Sequence, residues 1–319
     1  MHRDGDPFRG EAQGIRGAGG GPLVIDGVVV LDKPPGITSF RAVEQVRRVF
    51  REKKGGHAGT LDPMATGVLP ICLGRATKIA GYLAGQEKEY DVLFRFGAET
   101  DTGDREGKET ASAPGAFADE GAVRAAVERL EGNWDQVPPA YSAVKVGGKR
   151  AYVLARQGKT PELAPRSVTV YEARLLGWSR EGFRLLLRTS KGFYVRALSR
   201  DMGREFGVPM TVAALSRLRC GPFRLEESVS LDELAEAGRR EEARKHLLPI
   251  TKALEGFPQV RIPHEAVAAI RTGRGPGPWL ASETIPAGLG VVLLTGADGG
   301  PVALVGRSPE GIWRIVRGL

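Results

Sequence analysis

Residues 55–70 read GGHAGTLDPMATGVLP and show neither helical nor strand periodicity. The segment carries four glycines and two prolines, together with one histidine, His57, and one aspartate, Asp62. Because the residue before a proline is biased toward extended geometry, the carboxylate of Asp62 is predicted to lie on a loop. An Asx turn or a helix N-cap is the usual role of such an aspartate, and the local pattern alone favours it. The glycine spacing matches neither a P-loop nor a dinucleotide fingerprint, so nucleotide binding is not predicted.

Two residues outside this segment are further candidates. Residues 88–97, KEYDVLFRFG, alternate between two faces, which predicts a strand with Tyr90 on its apolar face. Core packing is the default role of a tyrosine placed there. Arg196 begins a predicted helix in YVRALSRDMG, at the helix end where the dipole disfavours a cation. A nearby carboxylate would resolve that conflict, and an ordinary exposed helix start is the alternative.

The composition predicts a soluble, basic protein. The 319 residues are 41% hydrophobic without an apolar run of membrane-spanning length, so we expect one large and one small globular domain and no membrane insertion. Only two cysteines occur, Cys72 and Cys220, which suits a reducing compartment, and the cytoplasm is the expected location. The formal net charge of +8 suggests a polyanionic partner, although charge alone does not select nucleic acid.

Three regions are predicted along the chain. Residues 1–22 are rich in glycine and poor in apolar residues, which predicts a disordered tail. Residues 23–252 mix strands and helices without a βαβ rhythm, which favours an α+β fold with a mainly antiparallel sheet over a doubly wound fold. Within them, residues 99–119 are predicted to form a solvated loop. Residues 253–319 are predicted to form a small β-rich domain with one helix near 264–271.

Two surfaces of the predicted large domain are basic. A helix capped by Thr38 or Ser39 is expected to bury its apolar residues and to turn arginines outward. Its predicted apolar face comprises Phe40, Val43, Val46 and Phe50. Residues 145–166 hold six cations and one acid, which predicts an exposed basic lobe.

Six segments, in this order and from about residue 28 to 223, resemble the bacterial TruB family of tRNA pseudouridine synthases. The segments spanning residues 56–70 and the sequence KGFYVRAL carry the most specific resemblance. Residues 253–319 resemble, more loosely, the PUA-like RNA-binding domain that such enzymes append. The six segments are GVVVLDKPPGITS, GHAGTLDPMATGVLPICLGRATK, KEYDVLFRFGAETDTGD, PPAYSAVKVGGKRAYVLARQG, SKGFYVRALSRDMG and LSRLRCGPF.

The resemblance implies a pseudouridine synthase fold and the isomerisation of a uridine in the T-arm loop of tRNA, at position 55. It implies that Asp62 is the catalytic nucleophile and that Arg196 pairs with it. It also implies that Tyr90 stacks on the displaced base and assists removal of its C5 proton. Attack by Asp62 on the ribose and attack on the pyrimidine ring both remain open. Lys33 matches a motif near the site, where a structural role is equally compatible.

The same resemblance implies substrate contacts. His57 would fill the gap left by a flipped uridine, while Tyr194 and Leu215 would line its pocket. Lys149 and Arg150 are interpreted as phosphate contacts within the basic lobe. No cofactor or metal is expected, because isomerisation needs neither redox chemistry nor ATP. The expected partner is tRNA, bound by a monomer without guide RNA. The alternatives are an RNA-binding or RNA-folding protein and the catalytic subunit of a guide-RNA particle.

Overall fold

The computed structural model describes residues 25–280 and 290–319, so the predicted tail of residues 1–22 lies outside the described residues. Secondary structure within the described ranges is mixed. The strands are β1 Gly27–Lys33, β2 Gly55–His57, β3 Thr66–Leu73, β4 Lys88–Phe96, β5 Ala98–Thr100, β6 Glu109–Ser112, β7 Gly132–Gln136, β8 Lys145–Val146, β9 Lys149–Arg150, β10 Arg166–Ser179, β11 Gly182–Thr189, β12 Met210–Cys220, β13 Phe223–Arg224, β14 Val229–Ser230, β15 Gln259–Arg261, β16 Val292–Thr295, β17 Pro301–Arg307 and β18 Trp313–Gly318. The α-helices are α1 Ser39–Phe50, α2 Ala80–Ala84, α3 Glu120–Glu128, α4 Ala151–Arg156, α5 Val195–Phe206, α6 Leu231–Arg239, α7 Ile250–Ala253, α8 His264–Arg271 and α9 Gly277–Leu280.

The large sheet has the strand order β14-β1-β3-β12-β4-β11-β10-β7, with β2 added to β3 and β13 added to β12. Its pairings are antiparallel except β1 with β14 and β3 with β12. A second sheet has the order β15-β16-β17-β18. The predicted α+β fold with a mainly antiparallel sheet and a small β-rich C-terminal unit is therefore confirmed.

Strand β4 forms as its alternation predicts. Tyr90, Val92, Phe94 and Phe96 are buried, while Leu93 on the opposite face is exposed. Strand β4 lies between β11 and β12 at the centre of the sheet. The alternation thus places Tyr90 on the buried face of a central strand of the main sheet.

Helix α1 is capped by Thr38, whose side chain accepts a hydrogen bond from the Arg41 amide, as predicted. The prediction is wrong for one residue of its apolar face, because Phe40 is 67% exposed. Ala42 is fully buried and extends the face formed by Val43, Val46 and Phe50. Ser39, rather than Phe40, therefore faces the interior at the start of the helix.

The interior is divided among three clusters. The largest lies between the main sheet and the helices packed on it, among them α1 and α5. A second lies between the small sheet and the helices α8 and α9. A third joins the two sheets, because Leu293, Leu304 and Leu319 pack with Val28 and Val30 of β1. None of the helices in the described ranges has the length and hydropathy needed to span a bilayer.

Candidate functional site

The loop that carries Asp62 is fixed on its N-terminal side by Ser39. The Ser39 hydroxyl accepts a hydrogen bond from the Leu61 amide at 2.8 Å and donates to the Leu61 carbonyl at 2.9 Å. Both residues are buried. One side chain at the start of α1 therefore satisfies both backbone groups of the residue before Asp62.

The C-terminal side of the same loop is fixed by the turn after β1. The Lys33 ammonium donates to the carbonyls of Pro34, Ile37 and Pro63 at 2.8, 2.9 and 3.1 Å. The Gly36 amide donates to the Pro63 carbonyl at 2.9 Å. Burial lowers the pKa of Lys33 to about 8, against opposing influences that include the Asp62 charge. These contacts give Lys33 the role of holding the loop.

A Ser39→Ala variant is expected to lose about 1–3 kcal/mol of unfolding free energy, because the buried Leu61 amide is left without its acceptor. Thr38→Ala is the matched control, since it removes a neighbouring hydroxyl that caps α1 and should cost only about 1 kcal/mol. Urea denaturation of both variants measures the difference. A loss no greater than that of Thr38→Ala would contradict the role of Ser39.

Asp62 lies against Arg196 in a bidentate ion pair. Nε of Arg196 donates to Oδ2 of Asp62 at 2.8 Å and Nη2 donates to Oδ1 at 2.9 Å. The arginine side chain is 7% exposed, whereas that of Asp62 is 28% exposed. The pair resolves the conflict noted at the start of α5, and the alternative of an exposed helix start is wrong. Charge-assisted bidentate pairs orient a carboxylate strongly, and this one leaves Asp62 accessible from one side.

The remaining donors of Arg196 are directed at backbone carbonyls. Nη1 donates to the Thr102 carbonyl at 2.7 Å, and Nη2 donates to the Tyr141 carbonyl at 2.9 Å. Thr102 belongs to the β5–β6 connection, and Tyr141 directly precedes the basic lobe. Arg196 thus links the Asp62 loop to two segments distant in sequence.

The segment 99–119, predicted to be a solvated loop, instead contains the β5–β6 hairpin and a buried carboxylate. Asp104 is 4% exposed. Its Oδ1 accepts from the Thr102 hydroxyl at 2.7 Å and from the Glu106 amide at 3.1 Å, and its Oδ2 lies 3.7 Å from Nε of Arg196. Gly103 permits this approach, because a Cβ there would lie 3.2 Å from Cβ of Arg196. Arg196 therefore sits between two carboxylates.

Tyr90 and Leu215 lie on the adjacent strands β4 and β12 and belong to the same buried cluster as Leu61. Burial raises the pKa of Tyr90, and the positive charge of Arg217 opposes that rise. The Asp62 charge also acts on the phenol. The structure therefore gathers the Asp62 carboxylate, the Tyr90 ring and an aliphatic side chain in one region.

His57 ends β2, five residues before Asp62. Its Nδ1 atom is buried and has no hydrogen-bond partner among the described residues. Burial, and then the charge of Arg217, lower the pKa of His57. The imidazole is therefore mainly neutral near pH 7.

Tyr194 is the N-cap residue of α5, and its backbone is held by Gln136. The Gln136 side chain accepts from the Tyr194 amide at 2.8 Å and donates to its carbonyl at 3.1 Å. Burial raises the pKa of Tyr194. The sequence interpretation missed Gln136, whose only local signal is a polar residue before the VPP turn that leads into the basic lobe.

Lys149 and Arg150 form the exposed strand β9, which pairs with β8 in a small hairpin. Arg150 donates to the Ala143 carbonyl at 2.8 Å. Neither residue contacts the Asp62–Arg196 pair. Tyr141, whose carbonyl accepts from Arg196, lies four residues before the first strand of that hairpin, β8.

Comparisons with known proteins give one family over residues 47–255. The family described as TruB family pseudouridylate synthase (N terminal domain) matches residues 47–195. The family described as tRNA pseudouridylate synthase B C-terminal domain matches residues 196–255. A tRNA pseudouridine synthase B from Chromohalobacter salexigens is 46% identical over 255 residues, covering 78% of this chain and 81% of that protein. One from Symbiobacterium thermophilum is 44% identical over 256 residues, covering 79% and 83%.

Solved structures show the same fold. A crystal structure of a Cbf5-Nop10-Gar1 complex contains a chain with a TM-score of 0.69 and 28% identity, covering 88% of this chain and 78% of that one. The structure of an archaeal box H/ACA sRNP Nop10-Cbf5 complex gives a TM-score of 0.68 and 26% identity, covering 92% and 85%.

Proposed function

The chain belongs to the TruB family of pseudouridylate synthases, and from that membership we propose that it isomerises a uridine in the T-arm loop of tRNA, with Asp62 as the nucleophile. The family and the relatives named tRNA pseudouridine synthase B make the protein a pseudouridine synthase acting on tRNA. The choice of the T arm and the roles of individual residues are the parts we propose.

The single observation that carries the proposal is the oriented and accessible carboxylate of Asp62, held by Arg196. In the reaction the bond from ribose C1′ to uracil N1 breaks, and a bond from C1′ to C5 forms. A proton leaves C5 and N1 gains one, so the product is an isomer of the substrate. A carboxylate can attack carbon and later leave, as glycosidase nucleophiles do. The assignment holds for attack on either the ribose or the ring.

The target uridine must leave its stack to reach Asp62, at a cost of a few kcal/mol that is least for a loop nucleotide. Tyr90 offers an aromatic ring for the extruded base, and Leu215 and Tyr194 complete the pocket. The neutral imidazole of His57 suits the gap left in the RNA loop. These roles explain why a histidine and an aspartate share one glycine-rich segment.

Asp104→Asn is expected to lower the rate constant for isomerisation about tenfold, equivalent to about 1.4 kcal/mol, because Arg196 loses the buried carboxylate that lies 3.7 Å from its Nε and holds Asp62 less firmly. Asp101→Asn is the matched control, since Asp101 lies in the same hairpin connection, is exposed, and accepts from the Lys108 amide and, at 3.4 Å, from the Tyr141 hydroxyl, both of which an asparagine can still bind. Single-turnover tritium release from tRNA that contains C5-tritiated uridine measures both rates. Equal rates for Asp104→Asn and Asp101→Asn would contradict the role of Asp104.

The exposed basic lobe is proposed to contact phosphates. Replacing Lys149 and Arg150 by glutamine should weaken tRNA binding whatever the sequence and lower the salt dependence of log Kd by roughly one unit or less per residue. Arg184→Gln is the matched control. Arg184 is paired with Asp91, on the face of the main sheet that points away from Tyr90. Filter binding between low and physiological salt measures the slopes. A slope unchanged by the double substitution would remove both residues from the interface.

We assign residues 23–252 as the catalytic domain and residues 253–319 as a PUA-like RNA-binding domain. The separate cluster around Val260, Ile270 and Val292 supports a distinct C-terminal unit. Arg314 and Arg317 are exposed on β18 and give that unit cationic side chains for RNA.

A second candidate is the catalytic subunit of a guide-RNA particle, because the similar solved chains come from complexes with further proteins. The higher identity to the relatives named tRNA pseudouridine synthase B favours independent action. The test is purified protein alone with an unmodified T-arm stem-loop, read by carbodiimide modification and primer extension. We expect pseudouridine at one loop position. Absence of product on the stem-loop and on full-length tRNA would contradict the proposal.

A further inference from the structure

Arg217 on β12 is a fully buried arginine, 1% exposed, within the segment LSRLRCGPF. Within residues 25–280 and 290–319, no carboxylate lies at ion-pair distance from it. Buried guanidinium groups are normally paired, since an uncompensated interior charge is costly. The mechanism described above does not use this group, so its retention calls for another role.

The guanidinium of Arg217 donates to three backbone carbonyls and also interacts with the Tyr90 hydroxyl. Nη2 donates to Gly59 at 3.1 Å and Nη1 to Thr60 at 3.3 Å. Nε donates to Val68 on β3 at 2.7 Å. Two of the three carbonyl acceptors lie between His57 and Asp62, and the third lies on β3. The guanidinium therefore connects that loop to the main sheet.

The backbone of Arg217 is fixed just as closely. It pairs with Tyr90 on β4 and with Gly67 on β3. A Cβ at Gly67 would lie 2.3 Å from the Arg217 carbonyl oxygen, so only glycine allows β3 and β12 to meet here. The arginine therefore extends from the strand next to Tyr90 to the loop that carries Asp62.

The charge of Arg217 also reaches both groups that would flank a bound uridine. It opposes the burial-driven rise in the pKa of Tyr90, and it adds to burial in lowering the pKa of His57. The guanidinium therefore acts on both the Tyr90 phenol on β4 and the His57 imidazole at the end of β2.

We propose that Arg217 is a positioning residue for the isomerisation. It fixes the position of the His57–Asp62 loop relative to the Tyr90 ring, so that the Asp62 carboxylate and the ring contact the same uridine. This inference deepens the proposed function and rests on it. Arg217 acts through the loop and does not touch the substrate. Lysine is not equivalent, because an ammonium lacks the planar fork with which the guanidinium reaches the Gly59, Thr60 and Val68 carbonyls from three separate nitrogens.

The test compares Arg217→Lys with Arg219→Lys, a matched control two residues along β12 whose guanidinium binds the Gly221 carbonyl. Single-turnover tritium release is measured with saturating enzyme on a mixture of unmodified, C5-tritiated tRNA transcripts. We expect Arg217→Lys to be slower by about tenfold to a hundredfold, as small misplacements of reacting groups produce. Its Kd for tRNA should stay within about threefold of wild type, since the phosphate contacts that dominate affinity are untouched.

This readout separates positioning from a purely structural role. Loss of folded protein lowers the amount of active enzyme, but it leaves the single-turnover rate constant of the folded fraction unchanged. An Arg217→Lys rate equal to that of Arg219→Lys would overturn the proposal. Failure of the T-arm assignment would look different, because the wild-type protein would then form pseudouridine elsewhere in the transcripts.

A second variant covers the case in which Arg217→Lys does not fold. Gly59→Ala alters the other end of the same contact, since Gly59 has a φ of +101° and its added Cβ would lie 3.6 Å from Nη1 of Arg217. We expect the same pattern, a slower rate constant with tRNA affinity retained. A Gly59→Ala enzyme with the rate constant of wild type would contradict the proposal that the position of this loop controls isomerisation.

Discussion

An Asp62→Asn variant is expected to bind tRNA almost as wild type does and to form pseudouridine at least about 10³-fold more slowly, the scale of effect seen when an enzyme nucleophile is removed. Asparagine keeps the size of the side chain and can still accept a hydrogen bond from Arg196. It lacks the negative charge that attacks carbon. Filter binding and single-turnover tritium release measure the two quantities separately.

Asp91→Asn is the matched control for that substitution. Asp91 is also a paired aspartate and directly follows Tyr90 in sequence. Its side chain lies on the face of β4 opposite to Tyr90, where it binds Arg184 of β11. Both variants lose one negative charge, so a general electrostatic effect on tRNA binding would appear in both. Turnover by Asp62→Asn at the rate of Asp91→Asn would refute the nucleophile assignment.

An Arg196→Lys variant is expected to lose about 10²–10³-fold in the isomerisation rate constant, equivalent to about 3–4 kcal/mol by transition-state arithmetic. Lysine keeps the charge but cannot bind Asp62 bidentately while also serving the Thr102 and Tyr141 carbonyls. The carboxylate would lose its orientation, and two partly buried carbonyls would lose a donor. The free energy of unfolding should fall as well, since a hydrogen bond to a charged group contributes about 1.5–3 kcal/mol.

Arg200→Lys is the matched control on the same helix, one turn further along. Arg200 binds the Val137 carbonyl and Asp201, away from the Asp62 carboxylate. Its substitution should leave the rate constant within about twofold, as expected for a partly exposed ion pair. If Arg196→Lys and Arg200→Lys had the same rate constant, orientation of Asp62 by Arg196 would not be needed.

Much of the fold could be predicted because its signals are local. The alternation in β4 determined which residues are buried, and the helix predicted near 264–271 is α8, His264–Arg271. The helix after Thr38 also formed as predicted, although Phe40 turned outward. In each case the pattern depends on neighbours within a few positions, where periodicity carries the information.

The supporting residues of the site could not be predicted, because their partners are far away in sequence. Asp104 lies in a polar, glycine-containing segment that is typical of a solvated loop, and only its contact with Arg196 on α5 shows why it is buried. Arg217 binds carbonyls about 150 residues earlier in the chain. Single-sequence periodicity contains no information about such contacts.

The resemblance to a known family supplied the candidate site residues, and the structure brings Asp62, Arg196, Tyr90 and Leu215 into one region. Their chemical roles remain proposals that the variants above test. The structure adds the physical reason for their placement: Ser39 and Lys33 hold the two sides of the Asp62 loop, and Arg217 binds its Gly59 and Thr60 carbonyls.

The most direct test is a crystal structure of the Asp62→Asn variant bound to an unmodified T-arm stem-loop. We predict one uridine turned out of the loop, with its base against the Tyr90 ring. The amide that replaces the Asp62 carboxylate should lie within van der Waals contact of the carbons that exchange bonds. A loop whose uridines all remain stacked, or an extruded base that lies away from residue 62, would contradict the account.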